Sequence, residues 1–203
     1  MSIIQYCDTN GVPQPVDVTD GSVHVVMTDS DGIPSEVDNT THTLQIIDYE
    51  HHEIHAGSHF FYTDSVALAS AATQDYLITT PNTTKWAHLI FSASGSAVTQ
   101  VQIYEGSNKT GTTPQTVFNS NRNSLTEATV TVHKGTSGGS TDGTLIWQRK
   151  SGAATQQSRS GMESSRNAEK ILKQNTKYII RITSGTDGNL TNIQLDWYEH
   201  TNK

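Results

Sequence analysis

The sequence predicts an all-β chain: an antiparallel β-sandwich or jelly-roll-like domain, residues 51–203, behind an extended N-terminal arm, residues 1–50. Three observations predict it. Tyr178, Ile180 and Ile182, then Ile193, Leu195 and Trp197, alternate with polar residues on either side of a Gly/Asp/Asn-rich turn, and a period of two bounded by turn residues marks paired strands. Ser and Thr supply 21 and 29 of the 203 residues while charged residues make up 16%, a composition suited to pleated half-exposed surfaces and turns rather than to a helical core. Short apolar runs recur at near-regular spacing, which points to a sandwich or jelly roll.

The first 50 residues read differently. They hold three of the five prolines, Pro13, Pro15 and Pro34, and the turn pairs Asn10-Gly11, Asp20-Gly21 and Asp31-Gly32. Two short apolar runs, around Val23 to Met27 and Leu44 to Ile47, predict one or two add-on strands rather than an independent core. An arm of this kind is ordered by lying on a neighbour, which makes Val23, Val25, Ile46 and Ile47 candidate interface residues.

Strands are expected near His59–Tyr62, Asp75–Thr80, Lys85–Ala93, Val98–Glu105, Thr126–His133, Thr144–Arg149, Lys170–Lys173, Tyr178–Ser184 and Ile193–Glu199. In the third, Ala87, Leu89, Phe91 and Ala93 share one face and belong to the core. Trp86 and His88 face the other way. Trp147 and Trp197 fall in phase with apolar neighbours and read as core. Loops are expected over Glu105–Gln115, Asn119–Ser124, Lys134–Gly143 and Ser151–Ser165, with a short helix over Ser164–Lys173 as the alternative to a strand there.

Several function classes are disfavoured. With 13 basic and 20 acidic residues, net charge −7, the chain lacks the clustered cations that bind phosphate backbones, so no nucleic-acid partner is expected. No apolar run is long enough to span a bilayer, and the N-terminus lacks the pattern of a secretory signal. The single Cys7 cannot form an internal disulfide. Nucleophile elbows, phosphate loops and a selected pair among Glu53, Asp75, Glu105 and Asp196 are all missing, and no cofactor is implied.

The most chemical-looking stretch runs from His51 to His59. If extended, His51, Glu53 and His55 share one face, and His59 would make a fourth metal ligand. The competing reading is a hydrogen-bonded His cluster at a junction or subunit contact. Trp86 offers thin support for a glycan platform. Asn119-Ser-Asn-Arg-Asn-Ser124 reads either as a loop of Asx turns that caps its own backbone or as a contact whose Arg122 pairs with a carboxylate on a neighbouring subunit.

Asp20-Gly-Ser-Val-His-Val, His51-His-Glu-Ile-His-Ala-Gly, Asn119-Ser-Asn-Arg-Asn-Ser, Ile171-Leu-Lys-Gln-Asn-Thr-Lys-Tyr178 and Trp197-Tyr-Glu-His200 together resemble the head-decoration, or cement, proteins of tailed bacteriophages. The resemblance implies a non-enzymatic β-sandwich on the outer surface of the virion, commonly a homotrimer. Its partner would be the major capsid protein, and it would staple neighbouring capsomers after head expansion while the N-terminal arm anchors it. No catalytic residue follows from the family. The alternatives are a tail-fibre or baseplate module for host-surface glycans and a metal-dependent enzyme built on the His cluster.

Overall fold

Alternating apolar residues need a second apolar face to bury against, and this chain supplies it with a second sheet. The computed structural model describes residues 5–7, 13–15, 49–152, 160–163 and 169–201. The chain divides into two units, Met1–Ile47 and Asp48–Lys203. In the first, β1 (Gln5–Cys7) pairs antiparallel with β2 (Pro13–Pro15), Cys7 opposite Pro13. Val23, Val25, Ile46 and Ile47 lie outside the described residues. Charge is segregated: seven of the 20 acidic residues and none of the 13 basic ones fall in Met1–Ile47, which leaves 13 of each sign in the second unit.

The second unit begins with α1 (Tyr49–Ala56) and continues as strands: β3 (His59–Leu68), β4 (Thr73–Thr79), β5 (Lys85–Gly95), β6 (Thr99–Glu105), β7 (Thr110–Pro114), β8 (Phe118–Asn119), β9 (Thr131–Ser137), β10 (Thr144–Ser151), β11 (Ser160–Glu163), β12 (Lys170–Leu172), β13 (Lys177–Ser184) and β14 (Asn189–Thr201). They form an all-β antiparallel sandwich. One sheet runs β10-β6-β13-β4-β9-β7. The other runs β11-β5-β14-β3-β8, with β12 also on β5. The alternating runs at the C-terminal end become the two central strands. β13 lies between β4 and β6, and β14 lies between β3 and β5. Leu89, Phe91, Leu195 and Trp197 from one sheet and Ile103, Tyr178, Ile180 and Ile182 from the other fill the space between, all at most 2% exposed. Trp147 completes this core edge-on to Phe91, ring centroids 5.1 Å apart.

The structure departs from the sequence expectation where polar contacts override local pattern. The segment from His51 is helical, not extended. Its apolar residues do not alternate, Glu50 and Glu53 suit an N-terminal half, and Gly57 ends it. Gly57 has φ +73°; its N–H donates to the Ile54 carbonyl (3.1 Å) and the Ser58 N–H to the Glu53 carbonyl (3.0 Å), the paired bonds of a Schellman cap. A Cβ at Gly57 would also strike the Ser124 hydroxyl. Gly57→Ala is therefore expected to cost about 2 kcal/mol in urea denaturation, from a left-handed backbone plus a displaced side chain; an unchanged midpoint would refute this cap. Parts of three expected loops are strands, β7, the end of β9 and β11. The expected strand at Thr126 starts five residues later, at Thr131, because the N–H groups of Thr129 and Val130 bond the Glu199 carboxylate instead of a ladder. Among the described residues no helix is long and apolar enough to cross a membrane.

Candidate functional site

The loop between β8 and β9 builds the most distinctive surface. Asn119 anchors it. Its Nδ2 donates to the carbonyls of Gly57 (2.8 Å) and Thr126 (3.0 Å), and its Oδ1 accepts the Asn121 N–H at 2.8 Å. The Asn123 N–H then bonds Asn121 Oδ1 (3.2 Å), the Thr126 N–H bonds the Ser124 hydroxyl (3.2 Å), and Asn121 Nδ2 reaches the His55 carbonyl (3.2 Å). The expected Asx turns thus satisfy the loop's own backbone and fasten it to α1.

This loop and β9 enclose an open groove of about 590 Å³ whose lining includes Phe60, Val117, Phe118, Leu125, Val130 and Val132. Phe60, Val130 and Val132 are buried, whereas Phe118 is 42% and Leu125 98% exposed. Arg122 lies over the Phe118 ring, 5.0 Å from its centroid, and Phe118 in turn packs on Phe61 at 5.8 Å. Arg122 has one long hydrogen bond, 3.5 Å to the Asn119 carbonyl. No carboxylate among the described residues pairs with it. Glu127 also lines the groove, exposed and without an ion-pair partner among the described residues.

The residues expected to form a metal site are not brought together. His51 and His55 do meet, one helical turn apart, rings 4.5 Å apart and Nε2 atoms at 3.0 Å, exposed. Glu53 is buried on another side of α1 and accepts the Ser58 hydroxyl. His59 is buried on β3, its Nδ1 2.7 Å from the Ser120 hydroxyl. Among the described residues no group of three or more His, Cys, Asp or Glu is placed to hold a metal ion.

On the outer face of the β5–β14 sheet a second polar cluster forms. Trp86 is half-buried rather than exposed, opposite His200 in register. His88 is buried and clusters with two rings, stacked on Tyr198 (centroids 4.6 Å apart) and tilted against His200 (4.4 Å). The Glu169 carboxylate gathers His88 Nδ1 (2.5 Å) and the Tyr198 hydroxyl (2.8 Å). It ties the strand edge at β12 to the sheet.

The remaining carboxylates are held apart by separate partners. Asp75 is clamped by Arg181 (2.7 Å) and accepts the Thr136 hydroxyl (2.7 Å). Glu105 pairs with Lys173 (2.6 Å), and the bond from Lys173 holds its carboxyl below the usual range. Asp196 accepts from Gln194. Asp64 accepts the Tyr76 hydroxyl (2.8 Å); burial above all, with Asp64 adding to it, pushes the Tyr62 hydroxyl up to about 12.

Sequence reasoning missed Leu125 and Glu199. Leu125, the one large apolar residue within Asn119–Thr129, was the signal for the first. Glu199 breaks the core-phase alternation after Trp197, which is the signature of a carboxylate with structural donors. Comparison with protein-family models, curated proteins and solved structures finds no match for the chain.

Proposed function

We propose that this chain is a non-enzymatic virion protein that binds the outer surface of a phage capsid and bridges neighbouring capsomers. The winding of the sandwich carries the reading. Four strands, β3-β14-β5-β11, face four others, β4-β13-β6-β10, and the chain that links these eight passes between sheets at β3 to β4, β4 to β5, β5 to β6, β10 to β11, β12 to β13 and β13 to β14. β7, β8 and β9 extend the edges beyond β4 and β3. We read this as a jelly roll with an inserted hairpin, an architecture common in viral capsid and lectin domains. Fold alone does not give function. The buried polar groups add support, since Glu199, Asp75 and Asn189, with the half-buried Glu169, are engaged in structural bonds. A partner surface is then the place for the apolar groove and its unpaired Arg122.

The test is to mix purified protein with expanded capsids that lack it and image them by cryo-EM. Density at capsomer junctions, threefold and with residues 1–47 followed along the shell, is the expected result. Bare capsids at saturating protein would sink the proposal and move the jelly roll to its lectin-like alternative, a tail module for glycans.

A further inference from the structure

We propose that the groove beside the Asn119 loop is a two-fold contact between two copies of this chain. Three of the strand edges carry a device against pairing. β10 has a bulge between Leu145 and Trp147 and ends in exposed Arg149 and Lys150. β3 turns Asp64 inward, where Lys134 pairs with it at 2.6 Å. β7 is short and ends in Pro114.

The groove has no such guard and is self-complementary. Leu125 stands 98% exposed next to a concavity of about 590 Å³ floored by Phe60, Val130 and Val132. An isologous contact places the same patch on both partners, so each copy offers a knob and a socket. Arg122 and Glu127 flank Leu125 in sequence, carry opposite charges, and lack an ion-pair partner among the described residues. A two-fold axis lying between Leu125 and the groove floor seats the Leu125 of each copy in the groove of the other and pairs Arg122 of each copy with Glu127 of the other. Such reciprocal pairing sets the register of the contact. The sandwich unit, with 13 charges of each sign, approaches its copy without net repulsion. Sixteen residues line the groove, fewer than the roughly 20–30 per side of a standard stable interface, so the association is weak and concentration-dependent.

The contact is independent of the capsid reading. The test is sedimentation equilibrium on the full chain from about 1 to about 200 μM, the range a contact of this size calls for. Wild type is expected to dimerise reversibly with a midpoint in that range. Leu125→Asp and Arg122→Glu each weaken it at least 10-fold without moving the melting temperature, since both side chains are exposed. The double swap Arg122→Glu with Glu127→Arg restores it to within about 3-fold. A monomer at every concentration overturns the proposal. So does an oligomer, a trimer included, whose midpoint ignores Leu125→Asp, or a double swap no better than the single. Capsid binding that fails while the dimer persists rejects the cement reading alone.

Discussion

Replacing Glu199 by alanine is expected to be the most damaging single change in the sandwich. This carboxylate is 3% exposed. It accepts the Thr129 N–H at 3.0 and 3.1 Å, the Thr129 hydroxyl at 2.5 Å, the Val130 N–H at 3.1 Å and the Trp197 indole N–H at 3.0 Å. Truncation strands the buried Val130 N–H, the part-buried Thr129 N–H and a buried indole while opening a space beside Trp197. Each stranded donor costs about 1–3 kcal/mol, partly recovered where water enters, so the sum is about 4 kcal/mol. For a unit of this size that lowers Tm by about 10 °C. Glu199→Gln keeps one acceptor and the volume but turns an amide N–H₂ toward donors, and is expected to cost about half as much. The same change loosens the wall of the groove, because Thr126, Glu127, Ala128 and Val130 line it. Limited proteolysis of Glu199→Ala should therefore cut within 126–130 before anywhere else in the sandwich. A loss under 1 kcal/mol in chemical denaturation would show that the carboxylate does not hold this segment.

Glu199 also explains which parts of the molecule were legible in the sequence. The central strands were, because Ile180, Ile182, Leu195 and Trp197 alternate without interruption and burial on one face fixes register. The edges were not. β7, reading Thr-Gly-Thr-Thr-Pro, has no apolar alternation and joins the sheet through ladder bonds to β9, a long-range fact. Thr126 to Val130 has strand-like composition yet is diverted by a carboxylate some 70 residues away. His51 to His55 alternates in type but not in apolarity, and one glycine cap decides for the helix. The same rule governs the candidate site. The Asx turns of the Asn119 loop are local chemistry and were readable. The groove was not, since Phe60, Phe118 and Val132 come from three strands that only the fold brings side by side.

Arg181 governs the second large expected effect, and its pH dependence identifies the cause. The guanidinium is 18% exposed and bridges Asp75 (2.7 and 2.9 Å) and Asp142 (2.8 and 3.1 Å), lying 5.4 Å from the Tyr104 ring centroid. It thereby holds the loops on either side of β7 and β9 against the sheet, with Lys109 completing the pair to Asp142 at 2.6 Å. Arg181→Met keeps much of the packing over Tyr104 but leaves two carboxylates facing one another's field. It is expected to cost about 3 kcal/mol at pH 7, the range for removing one partner of a partly buried ion pair. Arg181 lowers the Asp142 carboxyl below the ordinary range, outweighing the upward push of burial. A carboxyl lowered in the folded state contributes stability that is complete above its unfolded value, about 4, and is lost as pH falls through the folded one. The gap between wild type and Arg181→Met should accordingly be constant from pH 7 to about 5 and narrow below about 4. Glu105, lowered chiefly by Lys173, titrates in both proteins and cancels from the difference. A gap that stays constant down to pH 2.5, well below the ordinary carboxylate range of about 4, would assign the loss to the stem of Arg181 packing on Tyr104 rather than to the carboxylates it bridges.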